Sequence, residues 1–526
     1  MNADDIAGEE YMKISPGYIT LVIGVFTFLS GSFLGFPWGT QQAEATLTVC
    51  GSMDMNTTWS VKDSPIIITC TTTVNAGVTL TVDPGVQVRF PRGSAQGRVS
   101  LIIEGTLIAR GTEEQNILFT SDEKNALPGD WASMTFINTG AATGISNKNG
   151  KDSRESVLEF CVVEFGGSAG RVGAIEVHGT TLSLNRVVVQ KNASSGVEVR
   201  DGTITVKDST LMSNSNSQGL GGGIIAHTST IVLDGTTVKK NAVAGTGGGI
   251  YALASQLSLT NSAVLENKAD GKGGGIFATD STLTIKGGSF AGNISSYRGG
   301  ALYTSRVKVT IDDTEFIGNR AELTSVTIGH EHGDSRGVAF GGAAYFDKSD
   351  VNIKRSAFIR NFAGDQCGAL AVENSNFHVH ENVFIENTAE VNGTALCLSG
   401  SNTGSSITHN AFTDNYPPTG KAANTIYFAT GPLPQFSKNS LFEPGKIIIH
   451  NQTDTMLDAK SNWWGTPNDA IQDRILGLAT FLPALDQPEP LPKITMKSPT
   501  NRWQRPEAHS TINPIHPPQH GLAPSR

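Results

Sequence analysis

Charge of one sign, cysteine, long apolar runs and helical periodicity are all scarce in this chain, and each scarcity removes a class of function. Of 526 residues 17% are charged, and 39 Lys and Arg stand against 48 Asp and Glu, for a mild net charge of −9. A nucleic-acid binder presents a basic face, so no nucleic-acid partner is expected. Five cysteines (Cys50, Cys70, Cys161, Cys367, Cys397) show no C-x-x-C metal spacing, and their odd number leaves at least one thiol unpaired within the chain. One strongly apolar stretch, Tyr18 to Phe36, runs 19 residues without a charge. It fits either a signal sequence or a single membrane span, and Ala43-Glu44-Ala45 beyond it has the small-x-small form of a cleavage site. Both readings place everything after residue 45 outside the cytoplasm. A membrane partner is expected only through 18–36, and only if that segment is retained.

What the chain has in quantity is glycine, 59 residues of it, and repetition. A phrase F/V/L-x-x-N recurs from Val189–Asn192 to Phe412–Asn415. Its asparagines include Asn241, Asn267, Asn293, Asn319, Asn361 and Asn387, spaced 26, 26, 26, 42 and 26 residues apart. A second phrase, Gly-Gly and a small or apolar pair, keeps the same beat, as in Gly247-Gly248-Gly249-Ile250 and Gly299-Gly300-Ala301-Leu302. Two phrases sharing one interval, including the same jump to 42, define a repeat array. Between them lie short alternating runs such as Leu257-Ser258-Leu259, which read as half-buried strands. A unit is therefore strand, turn, strand, turn and a further short strand, one coil of an all-β parallel β-helix. Each repeated position then forms a ladder along the axis, apolar inside and Asn at a turn, where the amide bonds the adjacent coil. The glycines suit a corner needing φ > 0 or close coil approach. A phosphate loop would have to open a helix, and none follows.

These residues carry a resemblance. The paired GGA and F-x-x-N phrases look like the repeats of the polymorphic outer membrane proteins, which implies a right-handed parallel β-helix on a cell surface, commonly an adhesin. Those proteins end in a β-barrel translocator where this chain has a Pro-rich tail, so self-transport is not expected. The opening text (Asp83-Pro84-Gly85, Gly105-Thr106-Leu107-Ile108-Ala109, Gly129-Asp130-Trp131) resembles the first coils of secreted β-helix proteins. Asn462-Trp463-Trp464-Gly465 resembles the terminal coil of extracellular β-helix proteins, including epithelial-junction proteins of the bark beetle type. The paired tryptophans are read as lids on the last coil, with sugar stacking as the alternative. Ile471 and Ile475, four apart, suit one short capping helix.

The expected organisation is thus a polar segment 1–17, a signal sequence or anchor 18–45, a cap and first coils 46–136, repeats 137–482 ending in the cap, and a Pro-rich disordered tail 483–526. About fifteen coils of roughly 26 residues are expected, capped at both ends. Cys50 and Cys70 flank the first strands, where a disulfide would pin the open end. Cys367 sits in a glycine position and reads as packed rather than reactive. Sequons open at Asn56, Asn192, Asn293, Asn392 and Asn451. The 42-residue step marks an insertion containing His330-Glu331-His332, first a plain surface loop and otherwise a candidate metal site. His378 and His380 share one strand face.

A pectin-lyase-like enzyme is the alternative to a binding protein. Glycosidases want two carboxylates facing one bond, which in a coil array means stacked positions. Asp312-Asp313 is an isolated pair, stacked against Lys286-Gly287 and Lys354-Arg355, and the polygalacturonase-like set of motifs is absent. No residue is assigned a catalytic or cofactor role. The outward residues Ser258, Thr284, Lys308, Asn352 and His378 suit a scaffold whose partner is a glycan or surface protein, secreted or displayed on the cell.

Overall fold

The computed structural model describes residues 46–93, 97–138, 155–167, 173–217, 219–322, 338–417, 424–443 and 446–490. The segments 1–17 and 18–45, the tail beyond 490 and the pair His330 and His332 lie outside them. The described chain is a parallel β-solenoid of about 14 turns, each giving its second strand to one 14-stranded sheet. The coil beginning at Gly247 shows the plan. Its strands Ile250–Leu253, Gln256–Thr260, Ala263–Leu265 and Lys268–Ala269 each pair in parallel with a counterpart one coil on. The fourth, two-residue strand is additional to the three expected. It follows the ladder Asn and builds a seven-stranded sheet from Ser215–Asn216 to Thr388–Ala389.

Alternation explains which side chains enter. Leu257 and Leu259 are buried while Ser258 between them is half-buried and outward, a pattern repeated at Leu283 and Ile285. The F-x-x-N phenylalanines form an inward column: Phe290, Phe316, Phe358, Phe384 and Phe412 stack at 4.9, 5.0, 4.9 and 4.7 Å between centroids. The glycine corner has two separate causes. Gly247 takes φ +72, and a Cβ on Gly248 would come within 2.6 Å of the Lys268 carbonyl.

The asparagine corner is a hydrogen-bonded rail. Asn241 donates from its backbone N and from Nδ2 to Asn267 Oδ1, both at 3.0 Å, and from Nδ2 to the Leu211 carbonyl. The same set recurs from Asn267 to Asn293, Asn319, Asn361, Asn387 and Asn415. Each buried amide finds its acceptor on the Asn one coil on and in turn accepts from the Asn before it, which is why the residue repeats. The sequons at Asn192 and Asn293 fall on rungs of this rail. A parallel rail at another corner runs Asn382, Asn410, Asn439, Asn462, so the Asn of the Asn-Trp-Trp-Gly phrase is its last rung.

At the first coil Cys50 is bonded to Cys70, joining Leu47–Met53 to Ile66–Val74. At the other end Trp464 is 3% exposed, against the last core residues, and Trp463 stacks on Phe442 at 6.0 Å. The single capping helix is instead two 3₁₀ turns, Asn468–Ala470 and Gln472–Arg474. Ile475 already pairs with Ile449 as a strand, leaving no room for a longer helix, yet Ile471 and Ile475 both bury. The start of the expected tail is tied down: the Leu485 amide donates to the Asn462 carbonyl. Cys367 is not a lone packed thiol; it is bonded to Cys397 one coil on, because a corner position faces the second residue of the next first strand. Cys161 is the free, buried cysteine.

Candidate functional site

The first strand of each coil has one outward slot that aligns along the whole array. Register places Thr135, Glu176, Glu198, Ile225, Tyr251, Phe277, Tyr303 and Tyr345 in one column. Two residues on, a second column holds His178, Arg200 and His227. The early coils therefore gather two stacked carboxylates, two imidazoles and a guanidinium on one face.

Neighbouring parallel strands stand about 4.8 Å apart, so the Glu176 and Glu198 side chains leave the sheet at near-contact spacing. They are 4% and 1% exposed. Thr135 Oγ1 donates to Glu176 Oε2 at 3.0 Å, and His178 Nε2 lies 3.8 Å from the same oxygen. Arg200 Nε donates to Glu198 Oε1 at 2.5 Å. Burial pushes the Glu198 carboxyl above its ordinary range, and the neighbouring Glu176 charge adds to the shift, against the opposing pull of Arg200. Burial and the Arg200 charge lower the His227 imidazole. Its ring meets Tyr251 at 5.6 Å, tilted by 53°. The face thus combines a carboxyl raised above its ordinary range beside a second carboxyl, directional donors and a ring, all within three coils.

Beyond Tyr251 the same slot changes character. Tyr251, Phe277, Tyr303 and Tyr345 stack on one another at 5.4, 5.0 and 5.4 Å with planes within 5°. Each ring's faces are spent on its neighbours along the axis, so no sugar can stack on the interior rings. Lys272 Nζ and the Arg298 guanidinium cover Tyr303 and Tyr345 at 5.0 and 4.9 Å. Arg298 Nη1 donates to Tyr345 Oη at 3.1 Å, and that hydroxyl donates to Glu373. Burial pushes the Tyr303 phenol up to about 12. This half is an outer core.

The residues singled out from sequence fall elsewhere. Asn241, Asn267, Asn293, Asn319, Asn361 and Asn387 are rail rungs; Trp464 is a lid; Gly465 takes φ +64 at the turn after it. Asp312 pairs with Arg355 at 2.5 Å and with Lys354 at 3.7 Å, an ion-paired corner. His378 bonds Ser406 at 2.9 Å on the second-strand sheet, a different wall from the strand Arg320–Ala321 that precedes the insertion. Among the described residues no group of three or more His, Cys, Asp or Glu is placed to hold a metal. Glu176, His178, Glu198, Arg200 and His227 went unread. Their signal is the near-repeat Ile175-Glu176-Val177-His178 and Val197-Glu198-Val199-Arg200, 22 residues apart.

A family described as a pectate-lyase-like beta helix domain matches residues 51–176, and one described as a right-handed beta helix region matches residues 248–441. Together with the solenoid they make the chain a pectin-lyase-like, right-handed parallel β-helix protein. Glu198, Arg200 and His227 lie between the two matches. No curated protein matches the chain.

Proposed function

We propose that the protein is an extracytoplasmic binding scaffold, adhesin-like, that takes a glycan on the outward face of the first strands between Glu176 and Tyr251. The observation that carries this reading is the convergence of Glu176, His178, Glu198, Arg200 and His227 over three successive coils. Carboxylates, a guanidinium and imidazoles beside a ring edge supply the mixed acceptors and donors that sugar hydroxyls require. Two disulfides favour an oxidising compartment, in keeping with the apolar stretch at 18–36. The repeat phrases support display on a surface of the polymorphic outer membrane protein kind. The test is retention of the purified protein on a glycan panel, with release of products followed in parallel. Saturable retention without cleavage, lost in Glu198→Gln, supports the reading; retention indifferent to that substitution overturns it.

One observation favours a second reading. A carboxyl pushed above its ordinary range by burial, stacked on a second carboxyl, resembles the acid and base pair of a glycoside-cleaving enzyme. Product release in the same assay, abolished by Glu176→Gln and by Glu198→Gln, would establish it.

A further inference from the structure

The outward column of the first strands is interrupted once. After Tyr345 its next slots hold Ala371 and Cys397, and a ring returns only at Tyr427. The space left by Ala371 is closed by the Cys367–Cys397 cystine, whose Cα atoms stand 5.3 Å apart. Tyr345, Cys367, Ala371, Cys397 and Tyr427 pack into one buried apolar cluster. Cys367 occupies a corner that neighbouring coils give to glycine. Its φ is +66, beside +69 at Gly341 and +61 at Gly393, a conformation L side chains disfavour. The cross-link is thus placed at a position where backbone preference alone would have kept a glycine.

The bond also stands where the periodic pattern ends. The fourth-strand sheet stops at Thr388–Ala389. In the coil after Cys367 the second glycine of the corner becomes Thr394. The asparagine rail runs out at Asn415, whose Nδ2 donates to Glu443 at 2.8 Å instead of to another Asn. From Gly393 onward the fourth strand is gone among the described residues, the first asparagine rail ends, and the rail from Asn382 to Asn462 is what continues between coils.

We propose that the Cys367–Cys397 cystine is a redox latch that holds the terminal coils, residues 393–490, onto the regular array. Opening it takes two electrons and two protons from a dithiol, which leaves as a disulfide, and yields two thiols. Closed, it carries the outward column across the Ala371 gap and fixes one coil to the next. Open, it leaves a non-glycine corner without its cross-link, and the terminal coils are held by their strand pairing and the rail from Asn382 to Asn462.

Hydrogen exchange of the full chain, mapped by peptide mass spectrometry with and without excess dithiothreitol, tests this. Reduction should speed exchange in the strands Leu396–Ser399, Ala411–Thr413 and Ile426–Phe428 by about tenfold or more, leaving 221–366 unchanged. The variant Cys367→Gly/Cys397→Ala should exchange fast in those strands whether or not dithiol is present, with a dithiol response only around Cys50–Cys70. If the variant does not fold, the wild-type pair of measurements decides alone. Equal exchange in the terminal strands of both redox states overturns the proposal, as does a change spread evenly over the array or a cystine that stays closed in excess dithiol.

Discussion

One backbone slot carries two solutions. From Thr135 to Glu198 the outward column is polar and its neighbour carries His178, Arg200 and His227; after Ile225, from Tyr251 to Tyr345, the column is rings. A ring placed above an identical ring is satisfied by the repeat itself, because stacking needs only the next coil. A carboxylate placed above a carboxylate is not, because like charges at coil spacing repel and each needs a donor from elsewhere. Arg200 and Thr135 supply those donors at the polar end, with His178 Nε2 3.8 Å from Glu176. Repetition thus stabilises the aromatic half and leaves the polar half poised to exchange its partners for those of a ligand.

The comparison can be broken by substitution. Tyr345, 1% exposed, should be the most costly loss: Tyr345→Ala is expected to destabilise by about 3 kcal/mol in urea unfolding followed by far-UV circular dichroism, with glycan retention intact. Glu198→Gln should do the reverse. It keeps the shape and a hydrogen-bond acceptor for Arg200, so stability should change by less than about 1.5 kcal/mol while affinity falls by about tenfold or more on titration calorimetry. Should both variants lose stability and binding together, the two halves are one structure and the distinction fails.

A smaller effect comes from pH. The native state raises the Glu198 carboxyl, so it holds that proton more tightly than the unfolded chain does. Its contribution to stability is full below the unfolded carboxylate's value near 4.5 and is lost as pH rises through the raised native value. His227, lowered in the native state, works the other way: its contribution is present above the ordinary 6.5 and lost as pH falls through the lowered value. Urea midpoints against pH for wild type and Glu198→Gln isolate the first, since the variant should lack the decline above pH 4.5 and retain the rest. The smallest effect belongs to Phe277→Leu. It removes two stacking contacts while keeping an apolar side chain, so a loss of about 1 kcal/mol is expected, with no change in retention.

The fold was legible because each rail residue has one place per coil: Asn293 is useful only above Asn267 and below Asn319, so the period is written in the sequence. The site was not, for a physical reason. Glu176 and Glu198 lie in coils of 22 residues, where Ser195-Gly196 stands in place of the double glycine, before the 26-residue beat that reveals which positions stack. Asp312 was read correctly as lacking a stacked carboxylate, since Lys286 and Lys354 flank it in register. The Cys367–Cys397 pair, 30 residues apart, is one coil plus the step from corner to outward slot; a glycine-like reading of Cys367 hid it. The capping helix failed because i, i+4 spacing records burial of Ile471 and Ile475 without recording that Ile475 is already extended.

The most direct measurement places the two halves side by side: the affinity of one retained glycan for wild type, Glu198→Gln and Tyr303→Phe, read by calorimetry at one pH. The account predicts a loss in Glu198→Gln and no change in Tyr303→Phe. Equal affinity across all three, or a loss confined to Tyr303→Phe, would contradict it and move the binding face to the rings.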